Sequence, residues 1–127
     1  MVWARVLMAI AAVFGGISVA AGAFGAHALQ SKLSDRALEI FETGTRYQMY
    51  HALALLLVGL LLTRAEAGQG LLIASGIGFI AGTLVFSGSL YALSLSGIKW
   101  LGAITPLGGV GFLVGWGCLA IATLRFK

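Results

Sequence analysis

Four polar side chains able to take part in chemistry lie within one short stretch of the sequence, Phe41–His51, which reads FETGTRYQMYH. They are a carboxylate, a guanidinium, an amide and an imidazole: Glu42, Arg46, Gln48 and His51. The apolar run ALALLLV follows at once and is typical of a helix in lipid. Polar groups at the mouth of a membrane helix are costly without partners, so a functional site is expected here first.

A second histidine, His27, lies near the end of the first predicted membrane span, and His51 lies near the start of the second. Both are therefore expected close to the same membrane face. Two histidines on adjacent helices can ligate a haem iron or a metal ion, with Glu39 or Glu42 completing a metal shell. The pattern favours the alternative, an interfacial hydrogen-bond network, because it contains neither a HExxH nor an EF-hand spacing. No metal and no cofactor are predicted.

Glu42 and Arg46 are four residues apart, the spacing of an intrahelical ion pair. The alternative is that Arg46 binds a lipid phosphate or a quinone headgroup, since the planar guanidinium suits anionic oxygens. No nucleophile stands beside a base in the sequence, so no catalytic residue is predicted and the protein is not expected to be an enzyme. The middles of the predicted spans are uncharged, which argues against a proton or ion relay.

The amino-acid composition indicates that the protein folds in a lipid membrane. Of 127 residues, 60% are hydrophobic and only 9% are charged, whereas a soluble domain has roughly a quarter charged residues. The net charge of +4 comes without a basic stripe interleaved with aromatics, so it is typical of membrane edges and not of nucleic-acid binding. The single cysteine, Cys118, cannot form an internal disulfide and is interpreted as a small buried residue.

The elements that position these residues are expected to form one all-α membrane domain covering residues 1–127. Four transmembrane helices are predicted at about 6–29, 47–63, 70–95 and 101–124. An amphipathic helix at the interface, about 34–46, is predicted between the first two spans, with Ser34 as its cap and Gly44 as the bend into the second span. A cleaved signal peptide is the alternative for the first apolar segment.

Small residues recur four apart along three of the spans and predict surfaces where helix backbones approach closely. The residues are Gly22 and Ala26 in the first span, Gly78 and Gly82 in the third, and Gly111 and Gly115 in the fourth. At the start of the fourth span, Thr105 is expected to cap a helix that begins at Pro106, the alternative being a helix that starts earlier and kinks at the proline.

Four blocks of the sequence resemble the signature blocks of the membrane proteins called domain-of-unknown-function 423, to which transmembrane protein 256 of mitochondria is related. The blocks are GAFGAHAL at 22–29, FETGTRYQMYHALALL at 41–56, FSGSLY at 86–91 and LGAITPLGG at 101–109. The resemblance implies a small four-span bacterial membrane protein and implies no reaction. The signature positions that it implies here are His27, Glu42, Arg46, Tyr47, Gln48, His51, Ser87, Tyr91, Thr105 and Pro106.

The sequence thus predicts a non-enzymatic membrane protein, either an accessory or assembly subunit of a larger complex or an oligomer, with membrane lipids and other subunits or itself as partners. The alternative is a small-molecule binder or carrier for a lipid, quinone, haem or metal, and a weaker one is an oligomeric transporter. Four spans place both termini on one side. A slight difference in net charge favours cytoplasmic termini in a bacterial plasma membrane.

Overall fold

The computed structural model describes residues 2–127, and its elements are all helical over that range. Helix α1, Val2–Phe24, continues into a π-helical turn, Gly25–Leu29; α2 is Asp35–Arg64, α3 is Gln69–Ser96, and a 3-10 turn, Lys99–Ala103, precedes α4, Thr105–Leu124.

The four helices run up and down in chain order, each packed against the next: α1 on α2, α2 on α3, and α3 on α4. The contacts show the antiparallel sense of each pair. Ser18 of α1 contacts Thr45 of α2, whereas Met8, earlier in α1, contacts Gly59, later in α2. Helices α2 and α3 are therefore central, and α1 and α4 flank them.

Helix α2 merges two elements that the sequence predicted separately. The predicted interfacial helix at about 34–46 and the predicted span at 47–63 form one helix of 30 residues. Its start agrees with the prediction, because the Ser34 side chain accepts a hydrogen bond from the Ala37 N–H at 3.1 Å. The helix passes through Gly44 without interruption, and this glycine has a packing role: a Cβ there would lie 2.8 Å from the Tyr91 ring.

Helix α4 starts at Thr105, one residue before the predicted start at Pro106, so Thr105 is part of the helix and is not its cap. Pro106 lies in the first turn, where its missing N–H removes no helical hydrogen bond. The residue that precedes the helix is Ile104, which makes no side-chain cap bond. The Thr105 hydroxyl lies 2.6 Å from that of Ser89 instead, because a partner on α3 is within its reach.

Two glycines make the short turns at the ends of α3 possible. Gly68 and Gly97 have φ values of 76° and 72°, in the left-handed region that side chains with a Cβ disfavour. Gly97 closes the helix with its N–H bonded to the Leu93 carbonyl at 2.8 Å. These turns hold α2, α3 and α4 in close antiparallel order.

The interior divides into an apolar half and a polar half along the helix axes. The apolar half lies near the chain termini and contains fully buried Leu7, Leu55, Leu62, Leu72 and Phe79. The other half contains buried polar side chains, among them Ser18, Thr45, Gln48 and Ser87. Most of the buried polar side chains therefore lie in the half that faces the turns 30–34 and 97–104, with Ser75 as an exception in the apolar half.

Within residues 2–127, three helical segments are long and apolar enough to cross a membrane: Val2–Leu29, Gln69–Ser96 and Lys99–Leu124. Helix α2 differs in that its first half contains the charged residues of the predicted interfacial helix. The four-span arrangement and the interfacial position of 34–46 remain predictions.

Candidate functional site

Gln48 links three helices in the polar half of the interior. Its amide Nε2 donates to the Phe14 carbonyl of α1 at 2.8 Å, and its Oε1 accepts from the Tyr91 hydroxyl of α3 at 2.6 Å. Only 4% of Gln48 is exposed, so an unpaired amide would be costly there. The side chain is thus a buried cross-brace from α2 to both of its neighbours.

Serine hydroxyls make three further connections between helices. Ser18 donates to the Thr45 carbonyl, Ser87 to the Gly44 carbonyl and Ser75 to the Gly115 carbonyl, each at 2.7 Å. Each hydroxyl therefore bonds to the backbone of the neighbouring helix, which in lipid is one of the main sources of helix association.

His51 is fixed by two hydrogen bonds that determine its tautomer. Nδ1 lies 2.7 Å from the Tyr47 carbonyl, which only accepts, so Nδ1 carries the hydrogen. The Trp116 indole, which only donates, lies 3.1 Å from Nε2, so Nε2 is the acceptor. One neutral tautomer satisfies both bonds. The ring also stacks on Phe112, with ring centroids 3.5 Å apart and planes 8° from parallel.

The five residues of the predicted polar cluster do not come together. Gln48 and His51 are buried in separate hydrogen-bonded pairs, whereas His27, Glu42 and Arg46 are exposed. Within residues 2–127 there is no group of three or more His, Cys, Asp or Glu side chains placed to hold a metal ion.

His27 and His51, which were expected close to one membrane face, lie at different levels of the bundle. The π-helical turn that contains His27 packs on Phe41, since a Cβ at Gly25 would lie 3.0 Å from the Phe41 ring. Phe41 precedes His51 by about 15 Å along α2, at 1.5 Å per residue. His51 lies instead near the level of Phe14 and Gly15, well inside α1. The two imidazoles therefore cannot share a ligand.

The prediction of an ion pair between Glu42 and Arg46 is wrong. Among the described residues the single ion pair within 4 Å is Arg36–Glu39, with Nη1 and Oε2 3.6 Å apart. Both members are highly exposed, with 79% and 70% of their side chains accessible. Arg46 is exposed and has no carboxylate of residues 2–127 within 4 Å.

The glycines of α3 and α4 face each other, as their spacing suggested. A Cβ at Gly78 would lie 2.9 Å from the Gly111 carbonyl oxygen, and one at Gly111 would lie 3.2 Å from the Gly82 backbone. Gly115 lies against Ser75 and Phe79. By contrast, a Cβ at Gly22 would meet nothing within 4 Å, and Ala26 is exposed.

A groove of about 400 Å³ lies between α2 and α4 and contains no charged side chain. We refer to it as the aromatic groove, lined by Tyr47, His51, Phe86, Pro106, Gly109, Val110, Phe112, Leu113 and Trp116. A smaller cavity of about 210 Å³, here the arginine pocket, is lined by Arg36, Glu39, Ile40, Thr43, Arg46 and Leu90. The first matches the volume of small-molecule sites, roughly 300–1,000 Å³.

A third cavity, about 190 Å³, lies between α1 and α3 beside Gln48 and Tyr91. Thr83 lines it and is 4% exposed, and its hydroxyl has no hydrogen-bond partner within the chain. In residues 2–127 this is the single fully buried side-chain polar atom without a partner.

Sequence reasoning missed three of the residues that form these sites: Phe112, Trp116 and Thr83. Trp116 is 65 positions from His51, and nothing in the local pattern pairs them. One signal was present for α4: Phe112 and Trp116 are four residues apart, so an aromatic pair on one face was to be expected. Ser87, Tyr91 and Thr105, which the resemblance implied, all take part in the hydrogen bonds between helices.

Comparison with known proteins shows that this chain is similar to bacterial membrane proteins. The family model described as "Protein of unknown function (DUF423)" matches residues 21–109. A UPF0382 membrane protein of Staphylococcus epidermidis is 45% identical over 124 residues, which cover 96% of this chain and 98% of the relative. The UPF0382 membrane protein YwdK of Bacillus subtilis is 42% identical over 122 residues, with the same coverage of both chains. No solved structure matches.

Proposed function

Because this chain belongs to the DUF423 family of integral membrane proteins, we propose that it is a non-enzymatic membrane component that works by binding other membrane helices, in the first place a second copy of itself. The binding face is the outer face of α1. Accessory or assembly subunits of membrane complexes act in this way, through contacts and without chemistry of their own.

One observation carries the proposal: a row of small residues along α1 that no part of the described chain covers. The row comprises Ala9, Ala12, Gly16, Ala20 and Ala23, all of them exposed and spaced three or four apart on one side of the helix. A Cβ at Gly16 would meet nothing within 4 Å. The row therefore forms a shallow notch on the lipid-facing surface.

The chain itself demonstrates how such a row is used. Where α3 meets α4, Gly78 and Gly82 allow the backbone of Gly111 to approach to van der Waals distance. In lipid there is no hydrophobic force between helices, so close packing and short polar contacts drive association. The matching row on α1 has the same chemistry but no partner helix within residues 2–127.

A second copy is the occupant to which the proposal commits. Copies inserted in one orientation present identical α1 helices that run parallel. A two-fold axis between them brings the same row together from both sides, so each notch receives its counterpart. Small residues four apart, as in Ala12, Gly16 and Ala20, suit such parallel pairs.

The polar interior supports a role without catalysis. His51, which is 5% exposed, uses both ring nitrogens within the chain, and Gln48 and Tyr91 bond to each other. Among residues 2–127, no hydroxyl is hydrogen-bonded to the imidazole. These groups brace helices, and none is left as a free base or nucleophile.

We further propose that the protein lies in the bacterial plasma membrane with cytoplasmic termini and four spans. The relatives are bacterial. Basic residues are equally numerous at the two ends of the bundle: Arg5, Arg64, Arg125 and Lys127 near the termini, and Lys32, Arg36, Arg46 and Lys99 at the other end. The end near the termini has fewer acids and a more positive net charge, and this difference supports cytoplasmic termini.

The test compares two substitutions of exposed glycines. Gly16→Leu fills the α1 notch, whereas Gly117→Leu adds the same side chain to α4, where a Cβ also meets nothing within 4 Å. In a Cys118→Ser background, Ala12→Cys is expected to form a disulfide-linked dimer in native membranes. Gly16→Leu should abolish this dimer and Gly117→Leu should retain it.

Loss of the dimer with both glycine variants, or with neither, would contradict the α1 interface. A different outcome is a single copy of the protein that co-migrates with one defined membrane complex and is released from it only by Gly16→Leu. That result would show that the α1 face binds another subunit and not a second copy.

A further inference from the structure

The aromatic groove and the arginine pocket are two parts of one continuous surface. On α2, Thr43 of the pocket lies one turn before Tyr47 of the groove; on α3, Leu90 of the pocket lies one turn after Phe86 of the groove. The rings of Tyr47 and Phe86 touch, with centroids 4.7 Å apart. Because α2 and α3 are antiparallel, both steps lead in the same direction, away from the apolar half of the bundle.

Polarity changes sharply along this surface. The groove contains no charged residue, and the ring nitrogens of its one histidine are both bonded within the protein. The pocket contains two arginines and one glutamate, all of them in the charged first half of α2. A ligand that fits both parts has a hydrocarbon portion and a charged head, which is the shape of a membrane lipid.

The net positive charge of the arginine pocket favours a ligand with an anionic headgroup. Arg36 and Arg46 together with Glu39 leave one net positive charge. The exposed Arg36–Glu39 pair, 3.6 Å apart, contributes little and is easily exchanged for another anion. Arg46 has no competing carboxylate within 4 Å among residues 2–127. A guanidinium binds phosphate oxygens through two parallel N–H bonds.

We propose that this surface is a binding site for one anionic phospholipid. The phosphate lies in the arginine pocket on Arg46, with Arg36 as a second ligand, and an acyl chain runs down the aromatic groove past Phe112 toward Trp116. The flat aromatic walls hold the chain by dispersion contacts. The site is formed by α2, α3 and α4 and lies away from the α1 face of the proposed dimer, so it does not depend on that function.

Trp116 supplies the readout because it lines the groove. With Trp3→Phe and Trp100→Phe, it becomes the single tryptophan of the chain. The protein is reconstituted in phosphatidylcholine vesicles that contain small fractions of phosphatidylglycerol, and either lipid carries brominated chains that quench an indole in contact. Brominated phosphatidylglycerol is expected to quench Trp116 at a lower mole fraction than brominated phosphatidylcholine does.

Two variants locate the head and the chain. Arg46→Gln should reduce the preference for phosphatidylglycerol about fivefold, the effect of one arginine near a membrane surface, whereas Arg125→Gln at the other end should leave it unchanged. A Cβ at Gly109 would meet nothing within 4 Å, so Gly109→Leu places a side chain in the groove without a clash. This variant should reduce quenching by both lipids.

Equal quenching by both lipids in the parent protein would overturn the proposal, as would equal effects of the two arginine variants. Displacement of the phosphatidylglycerol by millimolar inorganic phosphate would identify a soluble anion as the ligand and overturn it too. Gly16→Leu, which tests the dimer, is expected to leave the quenching unchanged, so the two proposals fail separately. Circular dichroism of each variant verifies the fold before its quenching is compared.

Discussion

The indole nitrogen of Trp116 lies 3.1 Å from Nε2 of His51, across the interface between α4 and α2. This bond determines how a histidine can lie inside a membrane helix bundle. With Nε2 bonded as an acceptor and Nδ1 donating to the Tyr47 carbonyl, the ring is neutral and its polar atoms are satisfied. The cost of burying an imidazole is thereby largely offset.

Removing the indole donor is expected to destabilise the bundle. Trp116→Phe leaves Nε2 of His51 without a partner, and the free energy of unfolding should fall by about 1 kcal/mol, as for other polar contacts between membrane helices. Unfolding in mixed micelles of increasing SDS content, followed by circular dichroism, measures this. Trp100→Phe, at a residue that is 65% exposed, is the control and should change little. Equal losses in the two variants would contradict the role of the bond.

The tautomer itself is a separate prediction. Nitrogen-15 spectra of labelled histidine should give His51 a protonated Nδ1 and an unprotonated Nε2, because the Tyr47 carbonyl accepts and the indole donates. In Trp116→Phe this preference should weaken, since only the bond to Tyr47 remains. An Nε2–H tautomer in the parent protein would contradict the assigned bond.

The main difference between the sequence prediction and the structure is the depth of His51 in the bundle. Apolar runs predicted the helices, Ser34 predicted the start of α2, and glycines four apart predicted the α3–α4 contact. The pattern placed His51 at the mouth of a span because polar residues precede it. In the structure these residues continue the same helix, and His51 lies at the level of Phe14. Its partner Trp116 is 65 positions away, and the spacing of residues within one helix cannot predict such a pair.

The same reasoning explains why the predicted polar cluster is divided. On a continuous helix, successive residues point in directions 100° apart. Gln48 therefore faces α1 and α3 while Arg46 faces outward. The sequence identified the chemically relevant residues of α2, but which of them point inward depends on where the neighbouring helices lie.

Gln48 and Tyr91 should be energetically coupled. Gln48→Leu leaves the Tyr91 hydroxyl without its acceptor, and Tyr91→Phe leaves Oε1 of Gln48 without its donor. Each is expected to lower the free energy of unfolding by about 1 kcal/mol, and the double variant by less than the sum, with a coupling of about 0.5–1.5 kcal/mol. Tyr50→Phe, at a residue that is 53% exposed, serves as the control. Strict additivity would show that the bond contributes nothing.

The α3–α4 contact predicts opposite effects for one substitution at two glycines. Gly78→Ala places a methyl group 2.9 Å from the Gly111 carbonyl oxygen, so the backbones must separate, and a loss of about 1–3 kcal/mol is expected. Gly117→Ala meets nothing within 4 Å, and should be neutral or stabilising by up to about 1 kcal/mol because alanine favours the helix. The same SDS titration measures both. Similar values for the two variants would contradict the close approach of α3 and α4.

Thr83 gives the last prediction, because its hydroxyl is buried without a partner in the chain. Valine has nearly the same shape and no polar atom, so Thr83→Val should leave the free energy of unfolding unchanged or raise it by about 1 kcal/mol. Thr45→Val is the matched control: it removes a hydroxyl that donates to the Glu42 carbonyl at 2.8 Å and should be destabilising. If Thr83→Val is as destabilising as Thr45→Val, the Thr83 hydroxyl has a bonding partner from outside the chain. The cavity shared with Gln48 and Tyr91 would then be a polar site in its own right.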